Sequence, residues 1–265
     1  MTRHLTESEI DRAAEMFAEA RRSRTQVEEL PSVLEPHTVA EAYAIQSRLV
    51  EKLGWRIGGW FCGCTNPDIQ AQLGLAEPYC APLFSHLIHK SPAVLDSADF
   101  SPIVLECEFA FVLKYDLPAR GNDGYLLKEV EAAIETVHPA IEVVAGTLKN
   151  WQQQSPHLII ADNGVDGALV YGTGLRRWRA HDLAHIQVQL FVDGAPVQTG
   201  SGANVLGNPL KALQWLANEQ SRRGNDMIAG HVYNTGTATP MQSMRAGQRA
   251  IAAFGPLGQS EVRLI

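Results

Sequence analysis

The chain has no long hydrophobic run. Its apolar stretches fall far short of the roughly 20 residues a membrane-spanning helix requires, so no membrane association is expected. Cysteine is scarce: Cys62, Cys64, Cys80 and Cys107 are the four in 265 residues. Cys62-x-Cys64 with a distant Cys80 lacks the paired spacing of a zinc site, so small buried thiols in a reducing compartment are the expectation. No basic stripe is present: 22 Lys and Arg against 29 Asp and Glu leave a formal net charge of −7, which disfavours nucleic acid as a partner. Gly200-Ser201-Gly202 and Thr235-Gly236-Thr237 carry hydroxyls beside glycine, but neither continues into a phosphate loop, so nucleotide binding is not expected. There is no internal repeat and no low-complexity tract. The first residues, Met1 to Glu7, are polar and lack the apolar segment of a secretory signal, which points to the cytoplasm.

What the chain does have is core material. Hydrophobic residues make up 45%, enough for one large domain or a core with a smaller appendage. Thr6 with Glu9 forms a capping-box pattern ahead of a helical stretch from Ile10 to Arg24, and Thr38 with Glu41 opens a second helix that ends at Gly54. Trp55 to Pro82, rich in Gly, Cys and Pro, reads as a loop or lid around a short helix at Pro67 to Leu73. A composition shift near Ser97 to Pro102 suggests two parts: a helical N-terminal region over 1–98 and a β-rich core over 99–265. In the second part, Val104–Lys114, Ala140–Val144, Gly167–Tyr171, Ile186–Val192, His231–Thr235, Arg249–Phe254 and Glu261–Leu264 read as strands. Leu126–Val137 and Pro209–Asn218 read as helices, and Asp193-Gly194 is a hairpin turn signal. Strand and helix do not alternate regularly, so an α+β fold with a mixed or antiparallel sheet is expected.

Three carboxylates stand out. Glu106 and Glu108 sit in the apolar run Val104-Leu105-Glu106-Cys107-Glu108-Phe109, and Glu142 sits in Ile141-Glu142-Val143-Val144. Residues two apart in a strand face the same side, so Glu106 and Glu108 project together. On a buried face they repel each other and call for a neutralising hard cation such as Mg²⁺ or Mn²⁺. On a solvent-facing sheet they would need none. The same stretches, taken with others, resemble one family. The others are Gln70-Ala71-Gln72-Leu73-Gly74-Leu75, Ala161-Asp162-Asn163, Thr199-Gly200-Ser201-Gly202-Ala203 with Gly207-Asn208-Pro209, Trp215-Leu216-Ala217-Asn218, and Thr235-Gly236 with Arg245-Ala246-Gly247. In this order, over roughly residues 40–265, they resemble the 2-hydroxypenta-2,4-dienoate (2-keto-4-pentenoate) hydratases and 4-oxalocrotonate decarboxylases of the fumarylacetoacetate hydrolase superfamily.

The resemblance implies a mixed β-sandwich roll preceded by helices. It also implies one Mg²⁺ or Mn²⁺ held by Glu106, Glu108 and Glu142, and a 2-hydroxy-dienoic or 2-oxo-enoic acid substrate processed through a metal-stabilised dienolate. Relatives assemble as homo-oligomers, so one is expected here, with a pathway enzyme as a further partner. Hydration, decarboxylation and C–C hydrolysis all stay open, as does a catalytically altered paralogue that only binds a 2-oxo acid or a partner. Departures from the family pattern cluster near the chemistry. The family's Lys-Ile-Gly-Leu-Thr-Ser is Phe61-Cys62-Gly63-Cys64-Thr65-Asn66 here, so its Lys is Phe61. The Asp of Pro-Asp-Tyr-Gly is Tyr79, and Asp-Ser-Arg becomes Ala145-Gly146-Thr147. A cation and a carboxylate suited to proton transfer are thus replaced by aromatic groups. Tyr79 and His86, with His89 behind them, are the acid/base candidates. Phe61, Thr65, Asn163 and Thr235 are the substrate-contact candidates. Histidine in packing and Asn163-Gly164 as a plain turn are the ordinary alternatives.

Overall fold

The computed structural model describes residues 4–265; Met1 to Arg3, the start of the polar N-terminal stretch, lie outside the described residues. The helices α1 (Glu7–Ser23) and α2 (Val39–Leu53) come first. The Thr6 hydroxyl accepts the Glu9 N–H while the Glu9 carboxylate accepts the Thr6 N–H, closing the capping box. Phe17, Ala14 and Ala18 of α1 pack on Ala42, Ile45 and Leu49 of α2. Next come β1 (Ile57–Gly63), α3 (Pro67–Leu73), β2 (Tyr79–Phe84), β3 (Ile88–Lys90), β4 (Ala93–Leu95) and β5 (Val104–Leu113). They are followed by α4 (Leu127–Ala133), β6 (Ile134–Val144), α5 (Pro156–Ala161), β7 (Asp166–Tyr171), β8 (Gln187–Val192) and β9 (Ala195–Ser201). The last elements are α6 (Pro209–Arg222), β10 (Val232–Thr237), β11 (Gln242–Ser243), β12 (Arg249–Ala253) and β13 (Gln259–Leu264).

The strands form two mixed sheets. An eight-stranded sheet runs β2-β1-β10-β5-β6-β7-β3 with β11 joined to β5, and a five-stranded sheet runs β4-β13-β12-β8-β9. The small sheet packs across β6 and β7, with Phe109 of β5 set edge-on to Phe254 at 5.1 Å between ring centroids. The helical layer covers part of the other side. This is the α+β roll with N-terminal helices that the sequence predicts. Strands from both sides of residue 98 share both sheets: β1 pairs with β10, and β4 pairs with β13.

Several local readings change. Trp55–Pro82 is not an irregular lid: strands β1 and β2 flank α3 and pair with each other. The glycines that suggested a loop are there for close approach. A Cβ on Gly59 would sit 1.7 Å from the Val232 carbonyl oxygen of β10, so only glycine allows this strand contact. The helix expected over Leu126–Val137 stops at Ala133, and Ile134 to Val137 pass directly into β6, where branched residues suit a pleated strand. Strands β3, β4, β9 and β11 are additions to the sequence reading. The Asp193-Gly194 turn joins β8 to β9 with φ of 50° and 84°, as a two-residue hairpin turn requires.

Candidate active site

Strand alternation builds the site. Leu105, Cys107, Phe109 and Phe111 of β5 enter the main core, so Glu106, Glu108 and Ala110 face the opposite side. Strand β6 pairs antiparallel with β5 and sets Glu142 directly across from Glu106. The small residues Ala110 and Ala140 keep this face open beside the acids. Carboxylate oxygens of Glu106, Glu108 and Glu142 all lie within 4.8 Å of one another. Glu108 and Glu142 are buried, and Glu106 is partly exposed, lining the cavity above. The Asn234 side-chain amide of β10 donates to Glu108 Oε2 at 2.6 Å and to Glu142 Oε2 at 3.0 Å. The Gly236 N–H adds a third bond to Glu108 Oε2 at 2.9 Å. Gly236 has φ of 82°, and a Cβ there would meet the Thr65 hydroxyl at 2.3 Å, so glycine is what lets this amide reach the acid.

These donors do not balance the charge. Burial pushes all three carboxyls above the usual range, and for Glu106 and Glu142 the charge on Glu108 adds to it. Glu108 Oε1 is buried without a hydrogen-bond partner. Among the described residues, no Lys, Arg or His side chain pairs with any of the three. An acidic oxygen cluster with an orphaned buried oxygen fits a hard divalent ion and suits no softer metal.

Above the carboxylates lies a cavity of about 540 Å³. Phe61, Thr65 and Tyr79 line it together with the three acids. Tyr79 is held in slots made by glycine: a Cβ on Gly63 would sit 2.1 Å from its Cζ, and one on Gly164 would sit 2.9 Å from its Cε2. Burial, then the charges of Glu106 and Glu142, hold its phenol well above the usual tyrosine range, so it stays protonated. Phe61 meets Tyr79 edge-on at 6.5 Å. Cys64 also lines the cavity, with burial pushing its thiol to about 11.

Other sequence candidates lie elsewhere. His86 packs against Trp55 at 4.6 Å and lines a separate hollow of about 290 Å³. His89 sits on β3, at the far edge of the large sheet from β1 and β2. Thr235 alternates away from Asn234 and donates its hydroxyl to the Phe109 carbonyl at 3.1 Å. Asn163 is buried and donates to the Pro82 carbonyl at 3.1 Å, so it braces the turn before β7. Neither residue lines the cavity. Asn234, which bridges two of the acids, is absent from the sequence candidates. Its signal was an amide inside the strand-like run Val232-Tyr233-Asn234, next to the Thr235-Gly236 motif.

A carboxylate triad on neighbouring strands beneath an apolar cavity defines a site for a hard metal and a small organic acid on an α+β roll. The chain belongs to the fumarylacetoacetate hydrolase family: residues 66–265 match the fumarylacetoacetate hydrolase C-terminal domain. It is 31% identical over 246 residues to a 2-keto-4-pentenoate hydratase of Paraburkholderia xenovorans (strain LB400), covering 92% of this chain and 90% of that protein. It is likewise 31% identical over 259 residues to a 2-hydroxyhexa-2,4-dienoate hydratase of Comamonas testosteroni, covering 96% and 97%. The 4-oxalocrotonate decarboxylase of Pseudomonas putida G7, solved with magnesium and adipate, superimposes with a TM-score of 0.89 at 27% identity over 100% of both chains.

Proposed function

We propose that the protein is a divalent-metal-dependent hydratase acting on a 2-hydroxy-dienoate or its 2-oxo-enoate tautomer, in the degradation of aromatic compounds. The reading is carried by the meeting of Glu106, Glu108 and Glu142 beneath the cavity, in a chain related over most of its length to dienoate hydratases. Glu106, Glu108 and Glu142 hold Mg²⁺ or Mn²⁺, and the ion, when bound, supplies Lewis acidity for negative charge developing on a 2-oxo acid. The chain's own groups do the rest. Asn234 and the Gly236 N–H fix the orientation of Glu108. Phe61 and the other apolar walls exclude bulk water. The Tyr79 phenol lines the cavity and keeps its proton, so it donates a hydrogen bond to the substrate, in place of the family's Asp. The Thr65 hydroxyl, beside Gly236, contacts the substrate's polar end.

Loss of diene absorbance tests the reading. The purified protein with Mg²⁺ or Mn²⁺ is expected to consume 2-hydroxypenta-2,4-dienoate or a close homologue, and chelation is expected to stop it. A panel of 2-hydroxy-dienoates left untouched would reject the reading. Decarboxylation of a 2-oxo-enoate is the second reading, favoured by the close superposition on the decarboxylase, and release of CO₂ separates the two. Homo-oligomeric assembly and a cytoplasmic location belong to the same proposal; sedimentation tests the first. No helix among the described residues is long and apolar enough to cross a membrane.

A further inference from the structure

The size and lining of the cavity say more about the acid that enters it. Its volume is about 540 Å³, within the roughly 300–1,000 Å³ of pockets that hold drug-sized ligands. A five-carbon dienoate has eight non-hydrogen atoms. At about 25 Å³ each, close to water's share of liquid volume, it occupies roughly 200 Å³. More than half of the space remains beyond the reacting carbons.

Beside the polar Asn66, Asn204, Thr237 and Thr239, the lining is mostly apolar and carries no positive charge. Phe61, Trp151, Ile159, Ile69, Leu73 and Met241 contribute walls, and among the described residues no Lys, Arg or His lines the cavity. A second carboxylate on the substrate would leave water without a counter-charge, in a site already holding three acids. The mouth repeats the pattern. Helix α3 has no buried residue, yet Ile69 and Leu73, one turn apart and so on one face, both line the cavity. They are 42% and 37% exposed, and Met241 on the segment after β10 is 49% exposed. Large apolar side chains gathered at a cavity mouth mark a surface that a ligand covers. Asn66 caps the start of α3 and Gly74 ends it in the left-handed region, so the helix is a discrete short unit beside the cavity.

We propose that the cavity selects monocarboxylic 2-oxo or 2-hydroxy-dienoic acids with an uncharged, apolar tail, and that Ile69, Leu73 and Met241 read that tail. The inference rests on the reading of the carboxylate centre given above and adds the identity of the substrate's far end.

Calorimetry with 2-oxo acids in the presence of Mg²⁺ tests it without requiring turnover. 2-Oxohexanoate and 2-oxoadipate have the same six-carbon backbone and differ in a terminal methyl against a carboxylate; pyruvate has no tail. Each buried methylene adds about fourfold in affinity, so 2-oxohexanoate is expected to bind at least about tenfold more tightly than either of the other two. The double substitution Ile69→Ser with Leu73→Ser, at exposed positions of a short helix, is expected to lower the 2-oxohexanoate to pyruvate affinity ratio by about tenfold. Binding of 2-oxoadipate equal to 2-oxohexanoate would overturn the inference. So would an unchanged ratio in the double variant, or a change confined to its sedimentation, which would assign the rim to a second copy of the chain. The tail ranking without dienoate hydration would reject the hydratase reading alone, whereas hydration with a flat ranking would reject the tail alone.

Discussion

Two groups of buried acids in this molecule are treated in opposite ways. In the helical layer, Glu41 is 7% exposed and accepts hydrogen bonds from the Leu5 N–H at 3.0 Å, the His37 N–H at 2.9 Å and the His4 ring at 3.1 Å. Burial pushes its carboxyl up, but these donors outweigh it and bring it down to about 2. Nearby, Asp162 is fully buried against Arg21 at 2.9 Å and also accepts the Thr147 N–H at 2.6 Å. On β5 and β6, Glu108 and Glu142 are buried and Glu106 is partly buried with no cation beside them among the described residues, and all three carboxyls are raised. The fold can satisfy a buried acid, as it does at Glu41 and Asp162. At the carboxylate triad, among the described residues, it supplies two hydrogen-bond donors and no counter-charge.

Substitutions can break this contrast. The largest stability effect is expected from Arg21→Met, which leaves Asp162 charged, buried and unpaired. It should cost about 3–5 kcal/mol in chemical denaturation, and a loss below about 1 kcal/mol would mean that the Thr147 N–H alone holds Asp162 well enough. Glu108→Gln should behave in the reverse manner. It removes one of three repelling charges, so metal-free stability is expected to hold or rise by about 1–3 kcal/mol, while Mg²⁺ affinity falls by more than about 100-fold in calorimetry. Unchanged affinity would remove Glu108 from the ligand set. The same pair of proteins sharpens the point by metal addition. At about 100 times the dissociation constant, Mg²⁺ should stabilise the unsubstituted protein by about 2.7 kcal/mol and the Glu108→Gln variant far less, read as a shift in melting temperature.

The smallest effect is expected from Glu41→Gln, at about 1–3 kcal/mol near neutral pH from weakened charge-assisted bonds. Its pH dependence has a fixed sign. Because the folded carboxyl titrates near 2 and the unfolded one near 4.3, the contribution of Glu41 is present above about pH 4 and is lost as the pH falls toward 2. Acid unfolding followed by circular dichroism should therefore differ between the two proteins above pH 4 and converge near pH 2. A constant gap across that range would show that Glu41 does not titrate with folding.

Much of this was legible along the chain. The acids on β5 and β6 could be read because a strand's two-residue period forces Glu106 and Glu108 to one side, and their apolar neighbours announce burial. Both helix starts followed from Thr6 and Thr38, and the β8–β9 hairpin from Asp193-Gly194. Strand β1 was hidden because its glycines resemble a loop until the backbone of Val232 is seen pressing on Gly59. The direction of the His86 side chain was not legible, since a residue type does not say where it points: its ring turns to Trp55 and lines a separate hollow. Thr235 lost its place in the site to its neighbour Asn234 through one step of strand alternation.

By itself the sequence determined the family, the two N-terminal helices, the longer strands and which three acids stand out, because these depend on local period, capping and short motifs. The tertiary structure decided which groups meet: Glu142 facing Glu106 across the β5–β6 register, Asn234 spanning two acids from β10, and Ile69 with Met241 at one mouth. Those encounters join residues far apart in the chain, and strand register and sheet order, which fix them, are properties of the packed whole.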